Sequence, residues 1–160
     1  DDGVFVDDSM GVFAEVNFGE RISVGLDILT DSYGTPEAQN EQNGSTNKVQ
    51  VDFEDIRTLY VRLGLMGGSY FKLGHVSGNI VTNEVMATSS QSGSTVGDQD
   101  LDGTTYGFGY AWTADNGLQI RAEGLYADYD TFSVTDTSGD IYTVNKMESV
   151  TASLKVAKAF

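Results

Sequence analysis

Seven segments of this chain alternate apolar and polar residues in period two, and their polar faces carry buried-type charges as well as glycine and serine. The last runs from Val150 to Phe160. It places Val150, Ala152, Leu154, Val156 and Phe160 on one face, interrupted only by Lys158, opposite Thr151, Ser153, Lys155, Ala157 and Ala159. Alternation of this length is a β-strand with one apolar and one polar side. Met10 to Phe18 repeats it, with Met10, Val12, Ala14, Val16 and Phe18 opposing Gly11, Phe13, Glu15 and Asn17. Ile22 to Ile28, Leu59 to Leu65, Phe71 to Gly74, Tyr106 to Trp112 and Leu118 to Ala127 follow the same rule, and the terminal strand is expected from about Tyr142. A closed sheet with lipid outside and polar groups inside gives every such strand the two surroundings it needs.

Composition agrees with that reading. Only 39% of the 160 residues are hydrophobic and 19 are glycine, which is lean for a β-protein that must fill a dry core. The length corresponds to one domain, residues 1–160. No run of 18 apolar residues occurs, so no helix spans a membrane. Cysteine is absent, which excludes disulfides and thiolate chemistry. A net charge of −15 excludes nucleic acid as a partner, because nothing could neutralise its phosphates. The same charge suits a surface bathed in divalent cations.

The connections alternate in length. Asn17 to Glu20, Met66 to Ser69 and Ala114 to Gly117 are tight turns, whereas Asp31 to Asn47, Val81 to Gly103 and Asp130 to Asp140 are long and polar. Short turns on one side and long loops on the other are the asymmetry of an outer-membrane barrel. The long-loop side also collects much of the acid, including Asp31, Glu37, Glu41, Glu84, Asp98, Asp100, Asp102, Asp130, Asp136 and Asp140. The Ser/Thr/Gly run from Ala87 to Gly97 reads as a loop tip. Seven strands make an odd number where bacterial barrels have even ones. The first strand is therefore expected to be short, at Val4-Phe5-Val6, or to be missing, the favoured expectation being that the given chain begins after most of it. Asp1-Asp2-Gly3 carries no signal segment, so the chain reads as mature or trimmed.

Tyr70-Phe71-Lys72-Leu73-Gly74, Tyr106-Gly107-Phe108-Gly109-Tyr110, Leu118 to Tyr129 and the strand ending in Phe160 together resemble the small outer-membrane β-barrel family that includes the OmpA transmembrane domain and OmpX-like proteins. The resemblance implies an all-β, antiparallel up-and-down transmembrane barrel of about eight strands in a bacterial outer membrane. It also implies lipid and lipopolysaccharide as surroundings, and recognition of the C-terminal strand by the barrel-assembly machinery. Lys158 departs from the aromatic or apolar residue usual two places before the end.

Several residues carry candidate chemistry. Glu15, Arg21, Asp27, Arg62, Lys72, Arg121, Glu123 and Lys155 lie on the inward faces and are expected to meet as a salt-bridged plug, since buried charges persist only when paired. An ion path through the network is the alternative. Asp98, Asp100, Asp102 and Gly103 form a DxDxDG run, a calcium candidate that lacks the acid at its twelfth place. His75 and Ser77 share an outer face and resemble the pair of a lipid A deacylase, but the neighbouring Tyr106 to Trp112 segment offers no acid to orient the histidine. Tyr106, Phe108, Tyr110, Trp112 and Phe160 read as lipid-facing aromatics. Asp52, Glu54, Asp55 and Arg57 are too charged for lipid and read as a strand projecting into an outer loop.

The expected function is non-enzymatic: a structural, surface-exposed barrel with a plugged interior, whose acidic loops meet cations or an external partner. A small porin-like channel is the alternative, and a lipid A-modifying hydrolase a remote one. A soluble calcium-dressed β-sandwich or lipocalin-like binder would need the outward aromatic faces to be a core instead.

Overall fold

Three tight turns and their alternating strands set the order of the sheet. A computed structural model of the chain describes residues 4–42, 45–85 and 96–158. The strands are β1 (Gly11–Phe18), β2 (Ile22–Leu29), β3 (Tyr33–Gly34), β4 (Ala38–Gln42), β5 (Ser45–Gly64), β6 (Ser69–Val85), β7 (Gln99–Thr113), β8 (Leu118–Tyr129), β9 (Phe132–Thr135), β10 (Ile141–Val144) and β11 (Met147–Lys158). Seven of them pair antiparallel in the order β1-β2-β5-β6-β7-β8-β11, curled into an open half-barrel. β3 and β4 pair with the upper part of β5, and β9 with β10 forms a separate hairpin. Gly19, Gly67, Gly68 and Gly117 take positive φ in the short turns, as the sequence reading of those turns requires.

The strands outrun the expected ones at the end opposite those turns, here called apical. β5 has 20 residues and β6 has 17, so much of the segments read as loops is β-structure. Asp52, Glu54, Asp55 and Arg57 lie in β5, as the reading of their segment as a strand expected, at a bulge between Glu54 and Arg57. Asp55 takes φ 53°, the left-handed conformation that accommodates the extra residue, and Ile56 turns inward beyond it. The terminal strand starts at Met147 rather than Tyr142, because Tyr142 belongs to the β9–β10 hairpin. Val4-Phe5-Val6 forms no strand: the Phe5 ring stacks on Phe53 with centroids 6.0 Å apart, Asp7 accepts a hydrogen bond from the Gly34 amide, and these residues lie at the apical mouth. Most of the Ala87 to Gly97 run lies outside the described residues.

Candidate functional site

On each strand the residues that point inward are the polar half of the alternation. Low on the half-barrel they converge on two groups of charges. Glu15 on β1 accepts from Arg62 on β5 (2.7 Å) and from Arg121 on β8 (2.8 and 2.9 Å), and the Tyr60 hydroxyl donates to it at 3.1 Å. Arg62 also donates to Ser23, whose hydroxyl donates to Asn17. Asp27 on β2 receives Lys72 (2.5 Å) and Lys155 (2.9 Å), and both lysines also reach Glu123, at 3.3 and 2.8 Å. The Tyr70 hydroxyl donates to Glu123 at 2.7 Å. The Lys72 side chain is fully buried, with its ammonium 3.8 Å from the Tyr60 ring centroid, and Arg121 lies over Phe13.

Seven of the eight charges read from the alternation thus come together. Arg21 does not. It stands exposed in the turn before β2, where its carbonyl accepts the Gly64 amide. The alternation alone cannot tell the last residue of a turn from the first of a strand. Tyr60 and Tyr70 are members the sequence reading passed over, although they share faces with Arg62 and Lys72. Each tyrosine ring lies over the glycine directly across the ladder, Tyr60 over Gly25 and Tyr70 over Gly109, where a Cβ would collide with the ring. Small residues opposite large ones make room for the two rings in the interior.

Above the charges the interior changes character. Phe53, Ile56, Val76, Ile80, Leu101, Ala127 and Tyr129 form one buried apolar cluster, with Phe5, Leu29, Tyr33, Val51, Phe132 and Met147 packed against it. Burial pushes the Tyr33 hydroxyl up from its ordinary value, and the neighbouring Tyr129 adds to the shift. Nearer the loops, the Lys48 ammonium donates to Glu37 at 2.7 Å and holds that carboxyl below its usual range.

The outer face is the mirror of this arrangement. Low on the half-barrel it is apolar and uncovered: Phe108 is 64% exposed, Trp112 54% and Leu154 74%, with Tyr106 and Tyr110 in the same stripe. Phe160 lies outside the described residues. Higher up, the outer residues turn polar, beginning at Arg57, His75, Thr104, Asp128 and Glu148. Here the structure corrects one reading. His75 does have an acid beside it, Asp102 at 3.2 Å, which lies across the ladder from Ser77. It sits below the segment from Tyr106 in sequence, and only the strand register brings it to the histidine. No hydrogen bond joins His75 to Ser77 among the described residues.

Asp100 and Asp102 are part of β7, with Asp98 just ahead of it. In an extended strand alternate carboxylates stand in a row rather than around a centre. Among the described residues no group of three or more His, Cys, Asp or Glu side chains is placed to hold a metal ion. Lys158 donates to the Asn116 carbonyl in the β7–β8 turn, which gives the unusual lysine near the C-terminus a partner. Compared with protein-family models, curated proteins and solved structures, the chain matches none of them.

Proposed function

We propose that this chain is a non-enzymatic β-barrel protein of a bacterial outer membrane, with a charge-plugged interior and acidic loops that face the outside. One observation carries the reading: paired, buried charges line the inside of the curled sheet at the level where its outside is a continuous uncovered apolar belt. In water that belt would be a large aggregation-prone patch. Against lipid it is the expected surface, and Tyr106, Tyr110 and Trp112 supply interfacial rings. A soluble sandwich or lipocalin-like binder would reverse the two faces.

The plug reading takes precedence over a channel because each inward carboxylate holds at least two donors. Breaking such contacts leaves a charge stranded in a low dielectric. The function then falls to the surface, where the loops' acidic residues would meet divalent cations, lipopolysaccharide bridged by them, or an external partner. The test is refolding into a planar bilayer, with heat-modifiable gel migration as the check on folding. A folded, inserted chain that carries no steady current is expected. Discrete single-channel steps would replace this reading with a small porin whose selectivity depends on Arg62, Lys72, Arg121 and Lys155.

A further inference from the structure

Lysine and arginine together number nine in this acidic chain, and most of them have partners. Four stand in the interior with Glu15, Asp27 and Glu123. Lys48 pairs with Glu37, Lys146 with Glu148, and Lys158 donates to the Asn116 carbonyl. Two remain that meet no carboxylate among the described residues: Arg21, in the turn before β2, and Arg57, exposed on the outer wall of β5. Asp102 would be the natural partner of Arg57, since Ser77 alone stands between them: Arg57 pairs with Ser77 across the ladder, and Ser77 with Asp102. His75 holds Asp102 instead, with Nε2 3.2 Å from Oδ1. Asp55 receives the Asn79 side-chain amide, and Glu54 lies on the far side of the bulge. The surrounding acids thus leave the guanidinium of Arg57 open, beside the Ser77 hydroxyl.

We propose that Arg57 and Ser77 hold the phosphate monoester of an anionic lipid, whose acyl chains lie against Leu26, Leu59 and Leu73. This inference rests on the membrane reading and adds to it one defined lipid contact. A guanidinium fork takes two phosphate oxygens at once. The Ser77 side chain stands about 5 Å away across the ladder, within reach of a third oxygen.

The depth and the wall below both fit a lipid. Arg57 is two residues, ~7 Å of strand, above Leu59, so it stands at the margin of the apolar belt. Its stem can lie on that belt while the charged head stays among phosphates. Directly below, the outer wall is aliphatic: Leu59 pairs with Leu26, and Val61 with Leu73, all of them exposed. The aromatic stripe lies farther round the sheet, on β7. One molecule can therefore cover this wall and neutralise the arginine, which a free phosphate ion cannot do.

The experiment moves the chain's one tryptophan to this wall, in a Trp112→Phe/Val61→Trp reporter. The reporter is refolded into phosphatidylcholine vesicles holding a small fraction of phosphatidic acid with brominated acyl chains, which quench a tryptophan they touch. A chelator is present, so that acidic side chains cannot bridge the phosphate through a cation. Quenching should exceed that from the same fraction of brominated phosphatidylcholine, by an amount equal to at least about fivefold preference. Ser77→Ala should weaken the preference and Arg57→Ala should abolish it. Arg57→Lys should lose most of it although the charge is kept, because an ammonium lacks the planar fork. Arg21→Ala, at the opposite end of the sheet, should leave it unchanged. Absence of a preference overturns the proposal, and so does a preference that survives Arg57→Ala. Full retention in Arg57→Lys would show that charge alone is read, which rejects the phosphate fork. Loss of the preference on adding inorganic phosphate at matched ionic strength would make the occupant a free ion and reject a lipid. Vesicle flotation separates the two levels. A chain that does not float rejects the membrane reading and this inference with it, whereas a floating chain without preference rejects the inference alone.

Discussion

Glu15 and Arg121 form a 2.8 Å ion pair although 106 residues separate them and their strands do not adjoin. The contact joins the first strand of the sheet path to the next-to-last. Together with the pair of Asp27 on β2 and Lys155 on β11, it spans the interior of the half-barrel, and it does so through one carboxylate shared by two guanidinium groups.

Removing that carboxylate should therefore cost more than a surface charge would. In Glu15→Ala both Arg62 and Arg121 lose their shared carboxylate while largely buried. Unpairing a buried ion typically costs ~3–5 kcal/mol. Urea unfolding of the vesicle-bound chain, followed by tryptophan fluorescence, should show a loss in that range. A loss within the scatter of an exposed pair such as Lys48 with Glu37 would refute the shared-carboxylate account.

The glycine across from Tyr70 offers a second test. Gly109→Ala puts a methyl group where the Tyr70 ring sits, so the ring must move off Glu123. Overpacking of this kind costs ~1–3 kcal/mol. Combining it with Tyr70→Ala should recover most of the penalty, measured as non-additivity in the same unfolding assay. Strict additivity of the two changes would count against direct contact.

An arginine scan of the outer face reads depth. Phe108→Arg in the middle of the belt should cost ~2–4 kcal/mol, and a substitution at the polar margin, Thr104→Arg, near zero. The comparison is made by reversible folding into lipid. A flat profile would mean that the belt does not face hydrocarbon.

Tyr33 predicts an alkaline limit. Its hydroxyl is raised in the folded chain, so the folded state favours the neutral phenol. The associated stability is complete below the ordinary tyrosine value of about 10 and is lost as pH rises above it. Ultraviolet titration should show Tyr33 ionising only together with loosening of the apical cluster. Tyr33→Phe should move that loosening to higher pH, and an unchanged curve would assign it to another group.

Much of this architecture was legible because period two is unambiguous where one side of a strand is apolar and the other charged. The alternation from Tyr106 to Trp112 and from Val150 to Val156 marks both faces without knowledge of any partner strand. Glycine-rich turns then fix neighbour order. What the sequence hid depends on register and on phase. Asp102 reaches His75 only because β6 and β7 pair as they do. The bulge at Asp55 shifts the phase of β5 by one residue, so Phe53 and Ile56 both point inward where simple alternation would separate them. The apical strands were hidden for a different reason: their outer residues are polar and their inner ones apolar, the reverse of the pattern followed lower down.

On the membrane reading proposed above, that reversal fixes the height at which the molecule would sit in a bilayer. On β6 the inward side passes from Lys72 to Val76 while the outward side passes from Leu73 to His75. On β8 it passes from Glu123 to Ala127 while Tyr126 gives way outside to Asp128. Sinking by one residue pair, ~7 Å along a strand, would drag His75, Thr104 and Asp128 into hydrocarbon, and rising by the same step would strand Tyr106 and Leu59 in water. Both displacements are uphill. On that reading the wall of the half-barrel is its own waterline.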